Sequence, residues 1–459
     1  MYTVDFSKPI HVHFIGIGGI SMSGLAEILL QEGFTISGSD AKESELTDHL
    51  EKLGANVIYS QTAANITDGI DLVVYTAAIH PDNPEYAAAV EKEVPMLTRA
   101  QLLGQIMCNY KIPIAVSGTH GKTTTTSLAS HVLMAGNCDP TISVGGILPS
   151  IHGNIRVGNS GTFITEACEY TNSFLSFFPK ISLILNMDAD HLDFFKDIDD
   201  IRNSFRKFAQ LLPKEGTLII NADTPKYEMV TEGLDCEVIT YGLENDADYA
   251  AKDITYDALG HATFTCLYKG ENIGTFSLRI PGVHNVSNAL ATIALARILG
   301  LDTDTIRAGF DSFTGTDRRF QFKGKLGDIT IIDDYAHHPT EIAATLTAAK
   351  NYPHKKTWCV FQPHTYTRTK ALLDDFAKAL TLADEVVLAD IYAAREKNTI
   401  GISSKDLQEK IIALGTDCEY FPSFDEIENY LLEKCESGDL LITMGAGDVV
   451  KIGENLLGK

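Results

Sequence analysis

A short apolar run, Ile112-Pro113-Ile114-Ala115-Val116, leads straight into Ser117-Gly118-Thr119-His120-Gly121-Lys122-Thr123-Thr124. Leu128 and Val132 then recur at helical spacing. A strand that turns through glycines into a helix needs a parallel sheet beside it and helices over its faces. The chemistry of such a turn is equally constrained. Small residues let successive backbone N–H groups close around phosphate oxygens, and the helix N-terminus adds positive potential. Lys122 would neutralise the β and γ oxygens, and the Thr123 hydroxyl would ligate Mg²⁺. Val116 stands where the longer form of this loop has its first glycine, so the turn is a shortened Gly-x-x-Gly-Lys-Thr.

The same strand-to-turn pattern occurs in three blocks. The first opens at residues 10–15 and runs into Gly16-Ile17-Gly18-Gly19, with Ser21 in place of a third glycine and Asp40 about twenty residues on. The second opens at 112–116. Strands are expected at 162–165, 181–185 and 217–220, and antiparallel hairpins between 247 and 280. A helix is expected from Asn285 to Leu299, ended by Gly300. The third opens at 329–332 before Asp333-Asp334, with strands at 357–361, 385–388 and 440–443 and a helix over 370–382. Strand–helix alternation of this kind gives an α/β fold, divided here into domains 1–108, 109–320 and 321–459.

The net charge of −24 disfavours nucleic acid and anionic membranes, so any phosphate must be held by local cations and amides. Eight scattered cysteines form no Cys-x-x-Cys pair and read as reduced thiols. No secretory signal opens the chain, and no apolar run approaches the ~20 residues that span a bilayer. The expected location is the cytoplasm, without membrane insertion.

Two further strand ends carry chemistry. Glu166-Ala167-Cys168-Glu169 and Asp188-Ala189-Asp190-His191 place carboxylates and an imidazole near the phosphate loop, a donor set suited to Mg²⁺ with nucleotide phosphates.

Residues 117–126, SGTHGKTTTT, resemble the ATP loop of the Mur ligases, and the resemblance extends over essentially the whole chain. It implies a three-domain α/β protein: a Rossmann-like UDP-sugar domain, a central P-loop ATPase domain and a C-terminal Rossmann-like domain for the incoming amine. The segments Asp333-Asp334-Tyr335-Ala336-His337-His338-Pro339-Thr340-Glu341 and Glu166-Ala167-Cys168-Glu169-Tyr170 are closest to the alanine-adding branch. That branch implies ligation of L-alanine to the lactyl carboxylate of UDP-N-acetylmuramate through an acyl phosphate, in peptidoglycan synthesis, with ATP and two Mg²⁺ ions. The alternatives are a ligase that recycles an intact tripeptide onto the same sugar and, from another class, a P-loop kinase or regulatory NTPase. Ser21 in place of the third glycine argues against an NAD enzyme.

Residue by residue, the resemblance assigns Gly118, Thr119, His120, Gly121, Lys122, Thr123, Thr124, Asn285, Asn288, Arg319 and Asp334 to ATP. Thr123, Glu166 and His191 go to metal, with Asp190 positioning His191. Gly16, Gly18, Gly19 and Ser21 go to the UDP moiety, and Thr76 and Ala77 lie near the same substrate. Asp40 reads either as a ribose partner or as a turn residue, and Arg99 as a phosphate partner or a solvated arginine. His364 and Arg368 would hold the amino-acid carboxylate, the latter through its fixed fork of donors. Lys122, His191, Arg319 and His337 form the catalytic set. Phe205 occupies the position where several relatives carry a carbamoylated lysine, so none is expected.

Overall fold

The computed structural model describes every residue except Met1, Ala77, Asp193 and Arg395. Three sheets divide the chain. The first has five parallel strands in the spatial order Asn56–Ile58, Thr35–Ser39, His11–Ile15, Leu72–Tyr75, Met96–Thr98. Its order reverses at His11–Ile15, the strand that feeds the Gly16 turn, which is the Rossmann-like arrangement.

The second sheet has ten strands. Its parallel centre runs Glu237–Gly242, Thr217–Asn221, Ile181–Ile184, Ile112–Ser117, Thr162–Ala167, Thr141–Leu148. One edge adds the antiparallel meander Tyr249–Tyr256, His261–Tyr268, Glu271–Pro281, and the other adds Gly153–Arg156. The meander's alternation is visible along His261–Tyr268, where inward residues Ala262, Phe264 and Cys266 are fully buried. The third sheet runs Gln321–Leu326, Ile329–Asp334, Leu440–Met444, Thr357–Phe361, Glu385–Leu388, Asp417–Tyr420, parallel except for its first strand. Its central strands Thr357–Phe361 and Leu440–Met444 are buried at every position because helices cover both faces.

The first two units share a core. One apolar cluster runs from Phe14 and Leu25 through Leu103 and Met107 into Phe163, Phe174, Phe205 and Phe208. Phe174 stacks on Phe208 at 4.6 Å, and Phe205 meets Phe174 edge-on. Gly104 permits this junction: a Cβ there would sit 1.9 Å from the Ser176 carbonyl oxygen. The fully buried Phe205 therefore serves packing.

Two helices differ from the sequence expectation. The segment 370–382 is two helices, Tyr366–Ala371 and Leu373–Leu380, broken where Leu372 takes φ −113° and ψ 22°. The helix expected from Asn285 begins at Val283, after Gly282 at φ +100°, and runs to Ile298. Gly300 follows its cap at φ +80°. Among the described residues no helix is long and apolar enough to cross a membrane.

Candidate active site

Three neighbouring parallel strands end side by side at the centre of the second sheet: Ile112–Ser117, flanked by Thr162–Ala167 and Ile181–Ile184. The loop 118–121 leaves the first, Glu166 and Glu169 leave the second, and Asp188 to His191 follow the third. This is the carboxyl-end crevice at which open α/β sheets take ligands.

Two loop glycines are required by geometry. Gly118 has φ +143°, and a Cβ there would lie 2.9 Å from Leu185 Cβ. Gly121 has φ +83°, and its Cβ would meet Asn288 Oδ1 at 2.9 Å. Gly121 caps the helix Lys122–Ala135 without a side-chain hydrogen bond, so the first-turn N–H groups remain as anion donors. Lys122 Nζ bonds the carbonyl of Gly118, that of Thr119 at 3.0 Å, and Glu169 Oε2 at 3.1 Å. Burial works against its charge, but Glu169 holds the ammonium well above the usual lysine range. Thr123 Oγ1 donates to Glu166 Oε2 at 3.1 Å, and Gly145 N donates to Glu166 Oε1 at 2.5 Å. Burial raises the Glu166 pKa even so.

His120 is ion-paired on both nitrogens, through Nε2 to Asp188 Oδ2 at 3.0 Å and through Nδ1 to Glu341 Oε1 at 3.2 Å. Burial opposes its charge, but the two carboxylates win and raise its pKa to about 9. Asn186 fixes its backbone, accepting from His120 N at 2.7 Å and donating to His120 O at 3.0 Å.

A cavity of about 260 Å³ opens from this loop between the second and third sheets. Its lining includes His120, Gly121, Thr124, Asn285, Asn288, Arg319 and Asp334. Asn288 Nδ2 donates to Asn285 Oδ1 at 3.0 Å, and Asn285 Nδ2 donates to Pro281 O at 2.7 Å. Both Asp334 oxygens accept backbone amides, from Phe320 at 2.7 Å and Ala336 at 2.8 Å, and burial raises its pKa to about 6. The Arg319 guanidinium lies 5.3 Å from the Tyr335 ring centroid and, among the described residues, makes no hydrogen bond or ion pair. Its neighbour is committed elsewhere: Arg318 binds Asp333 at 2.9 Å and the carbonyls of Gly445 and Gly447 at 2.8 and 3.0 Å.

A second cavity of about 310 Å³ is lined by Tyr170, Asp190, His191, His337, His364 and Arg368, among others. Arg368 Nε donates to Asp190 Oδ1 at 3.1 Å, and its Nη1 lies 3.1 Å from His364 Nδ1. Arg368 outweighs burial and holds the Asp190 carboxyl far below the usual range. His191, at φ +53°, donates its backbone N–H to Asp190 Oδ1 at 2.7 Å and packs on the Tyr170 ring at 4.6 Å. Its nearer glutamate is Glu169, at 3.8 Å. Burial lowers the His191 pKa and brings that of His337 to about 4. The neutral His337 donates from Nδ1 to the Tyr335 carbonyl at 3.0 Å, which leaves Nε2 as an acceptor.

The expected UDP-sugar residues lie in the first unit and line neither cavity. Gly16 N and Ile17 N bond the Ser39 carbonyl, and Gly18 N bonds Asp40 Oδ2 at 2.8 Å. A Cβ on Gly18 would sit 2.9 Å from that oxygen. Asp40 is therefore a buttress of the turn. The helix that follows, Ile20–Gln31, has Gly19 as N-cap and no side-chain cap, and Ser21 lies in its first turn. Thr76 accepts the Ala78 N–H at 3.2 Å. Ala77 lies outside the described residues. Arg99 opens the helix Arg99–Met107 beside the Cys168 thiol; burial presses against its charge, and among the described residues no acceptor pairs with it.

Sequence reasoning named Glu169 and Asp188 only as members of two carboxylate-bearing strand ends, and it gave Glu341 and Arg318 no role of their own.

Residues 11–111 match the Mur ligase family catalytic domain, 116–296 the Mur ligase middle domain, and 318–447 the Mur ligase glutamate ligase domain. The chain belongs to the Mur ligase family. This Mur ligase is 63% identical, over the full length of both chains, to the UDP-N-acetylmuramate–L-alanine ligase of Agathobacter rectalis. Among solved structures, the UDP-N-acetylmuramate-alanine ligase of Thermotoga maritima is similar with TM-score 0.82 and 31% identity, over 98% of each chain. A murein peptide ligase of Psychrobacter arcticus is similar with TM-score 0.72 and 26% identity, again over 98% of each.

Proposed function

We infer that this Mur ligase joins L-alanine to the lactyl carboxylate of UDP-N-acetylmuramate in peptidoglycan synthesis, converting ATP to ADP and phosphate. The observation that carries the reading is the junction of two unlike cavities. One has a phosphate loop with Lys122 and an uncommitted Arg319, and the other has Arg368 with neutral imidazoles. Domain 109–320 would take ATP, 321–459 the amino acid, and 1–108 the UDP-sugar. Free thiols on all eight cysteines and the need for ATP support a cytoplasmic reaction.

Two features favour Mg²⁺. Thr123 and Glu166 form a hard-oxygen pair beside the loop, and Glu169 Oε1 is buried with no hydrogen-bond donor among the described residues. Thr123, Glu166 and His191 would hold the ions, which supply charge neutralisation for the phosphates.

A carboxylate resists attack by an amine until phosphorylation gives it a leaving group. The lactyl carboxylate attacks the γ-phosphorus while Lys122, released from Glu169, and Arg319 stabilise charge on the equatorial oxygens. The amine of L-alanine then attacks the acyl carbon, and phosphate leaves. Arg368 exchanges Asp190 for the amino-acid carboxylate. His337 Nε2, an acceptor in the neutral ring, and His191 are the groups placed to take the amine proton. Closure of the third unit excludes water from the acyl phosphate.

The test is phosphate release from ATP with UDP-N-acetylmuramate and L-alanine omitted in turn, and with tripeptide in place of L-alanine. Release without either substrate, or activity of Lys122→Ala near that of the unaltered protein, refutes the reading. Preference for the tripeptide makes it the recycling ligase.

A further inference from the structure

Glu341 lies in the first turn of the helix Pro339–Ala349, where His338 is the N-cap and the helix dipole favours a carboxylate. Its two oxygens bind residues that line different cavities. Oε1 takes the His120 imidazolium of the phosphate loop at 3.2 Å, and Oε2 accepts the backbone N–H of His337 at 3.0 Å. His120 lines the nucleotide cavity and His337 lines the amine cavity.

We propose that Glu341 is a positioning residue that couples the two cavities, sensing the phosphate loop through His120 and setting the His337 turn against the incoming amine. The inference rests on the nucleotide reading of the first cavity.

Three observations support it. His120 sits between Thr119 and Gly121, and Asn186 bonds its backbone on both sides, so the ring cannot shift without the loop. A loop that closes on phosphate therefore moves the ring. The far side of the ring is anchored to Asp188, in the segment that follows the neighbouring strand Ile181–Ile184, so Glu341 is the ring's ion-pair link to the third unit. The crossing is also walled. The His338 ring packs on His120 with centroids 4.7 Å apart, and His338 Nε2 lies 3.3 Å from the Ala189 carbonyl. Because His338 Nδ1 accepts from Thr340 N, the proton is on Nε2 and the ring is neutral. His120 is thus the cation between two carboxylates and a neutral ring, and its removal leaves Glu341 with one partner on the amine side.

A double-mutant cycle on the full chain tests this. Glu341→Gln and His120→Asn should each raise the KM for L-alanine about tenfold, and the double variant should raise it by about the same factor, because both remove one contact. The KM for UDP-N-acetylmuramate should move less than twofold. A double variant near hundredfold, or a KM for L-alanine that stays put while only the melting temperature falls, overturns the proposal. Hydrogen exchange supplies a readout independent of turnover and of the fold of Glu341→Gln. Adding ADP to the unaltered protein should change amide protection over residues 335–341, and His120→Asn should abolish that change. No change on ADP binding overturns the proposal too. Failure of the unaltered protein to bind ADP sinks the nucleotide reading instead.

Discussion

Adjacent arginines at the second domain junction should fail in opposite ways when each is replaced by methionine, which keeps most of the length and none of the charge. Arg318 satisfies three acceptors: Asp333 Oδ2 and the carbonyls of Gly445 and Gly447. Asp333 is fully buried, and its other oxygen is held by Thr443 at 2.7 Å. Breaking a buried pair from one side costs about 3–5 kcal/mol. Two facts pull the figure to the lower end. Burial already raises the Asp333 pKa, so the stranded carboxylate can protonate, and the Arg318 side chain is 24% exposed, so water can reach it. A loss of about 3 kcal/mol in a unit of this size lowers the melting temperature by about 6–12 °C. The Arg319 guanidinium makes a ring contact, worth about 0.5–1 kcal/mol at a partly exposed site, and a longer-range attraction to Asp334 and Glu341, so its loss should shift melting by about 4 °C or less. Its cost appears in turnover, where one donor to the transition-state charge is worth about 10²–10³-fold in kcat. Scanning calorimetry and phosphate release on the two variants give four numbers. Equal melting shifts, or an Arg319→Met enzyme that keeps more than a tenth of its kcat, refute the division of labour.

Gly121→Ala forces a β-carbon into the left-handed region and against Asn288, costing about 1–2 kcal/mol and raising the KM for ATP about tenfold; an unchanged KM contradicts the tight-loop reading. The His120 pKa is about 9 in the folded protein against 6.5 in an ordinary histidine, with Asp188, Glu341 and the neutral His338 facing the ring. Its stabilisation, on the order of 3 kcal/mol, is complete below about pH 6.5 and lost as pH rises through 9, so a melting decline between pH 7 and 9.5 should flatten in His120→Asn. Chelation with EDTA should abolish phosphate release, and added Mg²⁺ should restore it; full activity in EDTA would remove metal from the scheme.

The parts of this molecule that were legible in its sequence are the local ones. The glycine loop announced its strand, turn and helix because the constraint spans ten residues, and the meander announced itself by alternation. Contacts between distant segments left no such trace. His120 and Glu341 are 221 residues apart, and the periodicity of either segment says nothing of the other. The helix over 370–382 was misjudged because Leu372 continues the apolar pattern while its backbone leaves the helix. Asp40 stands at the spacing of a ribose ligand, but only the Gly18 amide at 2.8 Å reveals what its carboxylate holds. Arg318 and Arg319 are identical in type and adjacent. Which one is committed was decided by Asp333 and the Gly445 turn, at the carboxyl ends of two neighbouring strands of the third sheet.

The charge around the two cavities explains the resting state of Lys122. Glu166, Glu169, Asp188, Asp190, Asp334 and Glu341 surround four cations: Lys122, His120, Arg319 and Arg368. Among the described residues each of these cations except Arg319 has an ion-pair partner, so the ligand-free protein pairs most of its cations off internally. A triphosphate adds several negative charges to a crevice that already has more carboxylates than cations, in a chain of net charge −24. It can enter only if Lys122 exchanges Glu169 for phosphate, and that exchange strands a buried carboxylate whose Oε1 already has no donor. Divalent cations resolve both deficits at one place, neutralising the phosphates and the carboxylates that Lys122 leaves behind. On this argument nucleotide and metal bind together. The affinity for ATP measured in EDTA should fall much further than that for UDP-N-acetylmuramate, whose expected amides at Gly16, Gly18 and Gly19 line neither cavity.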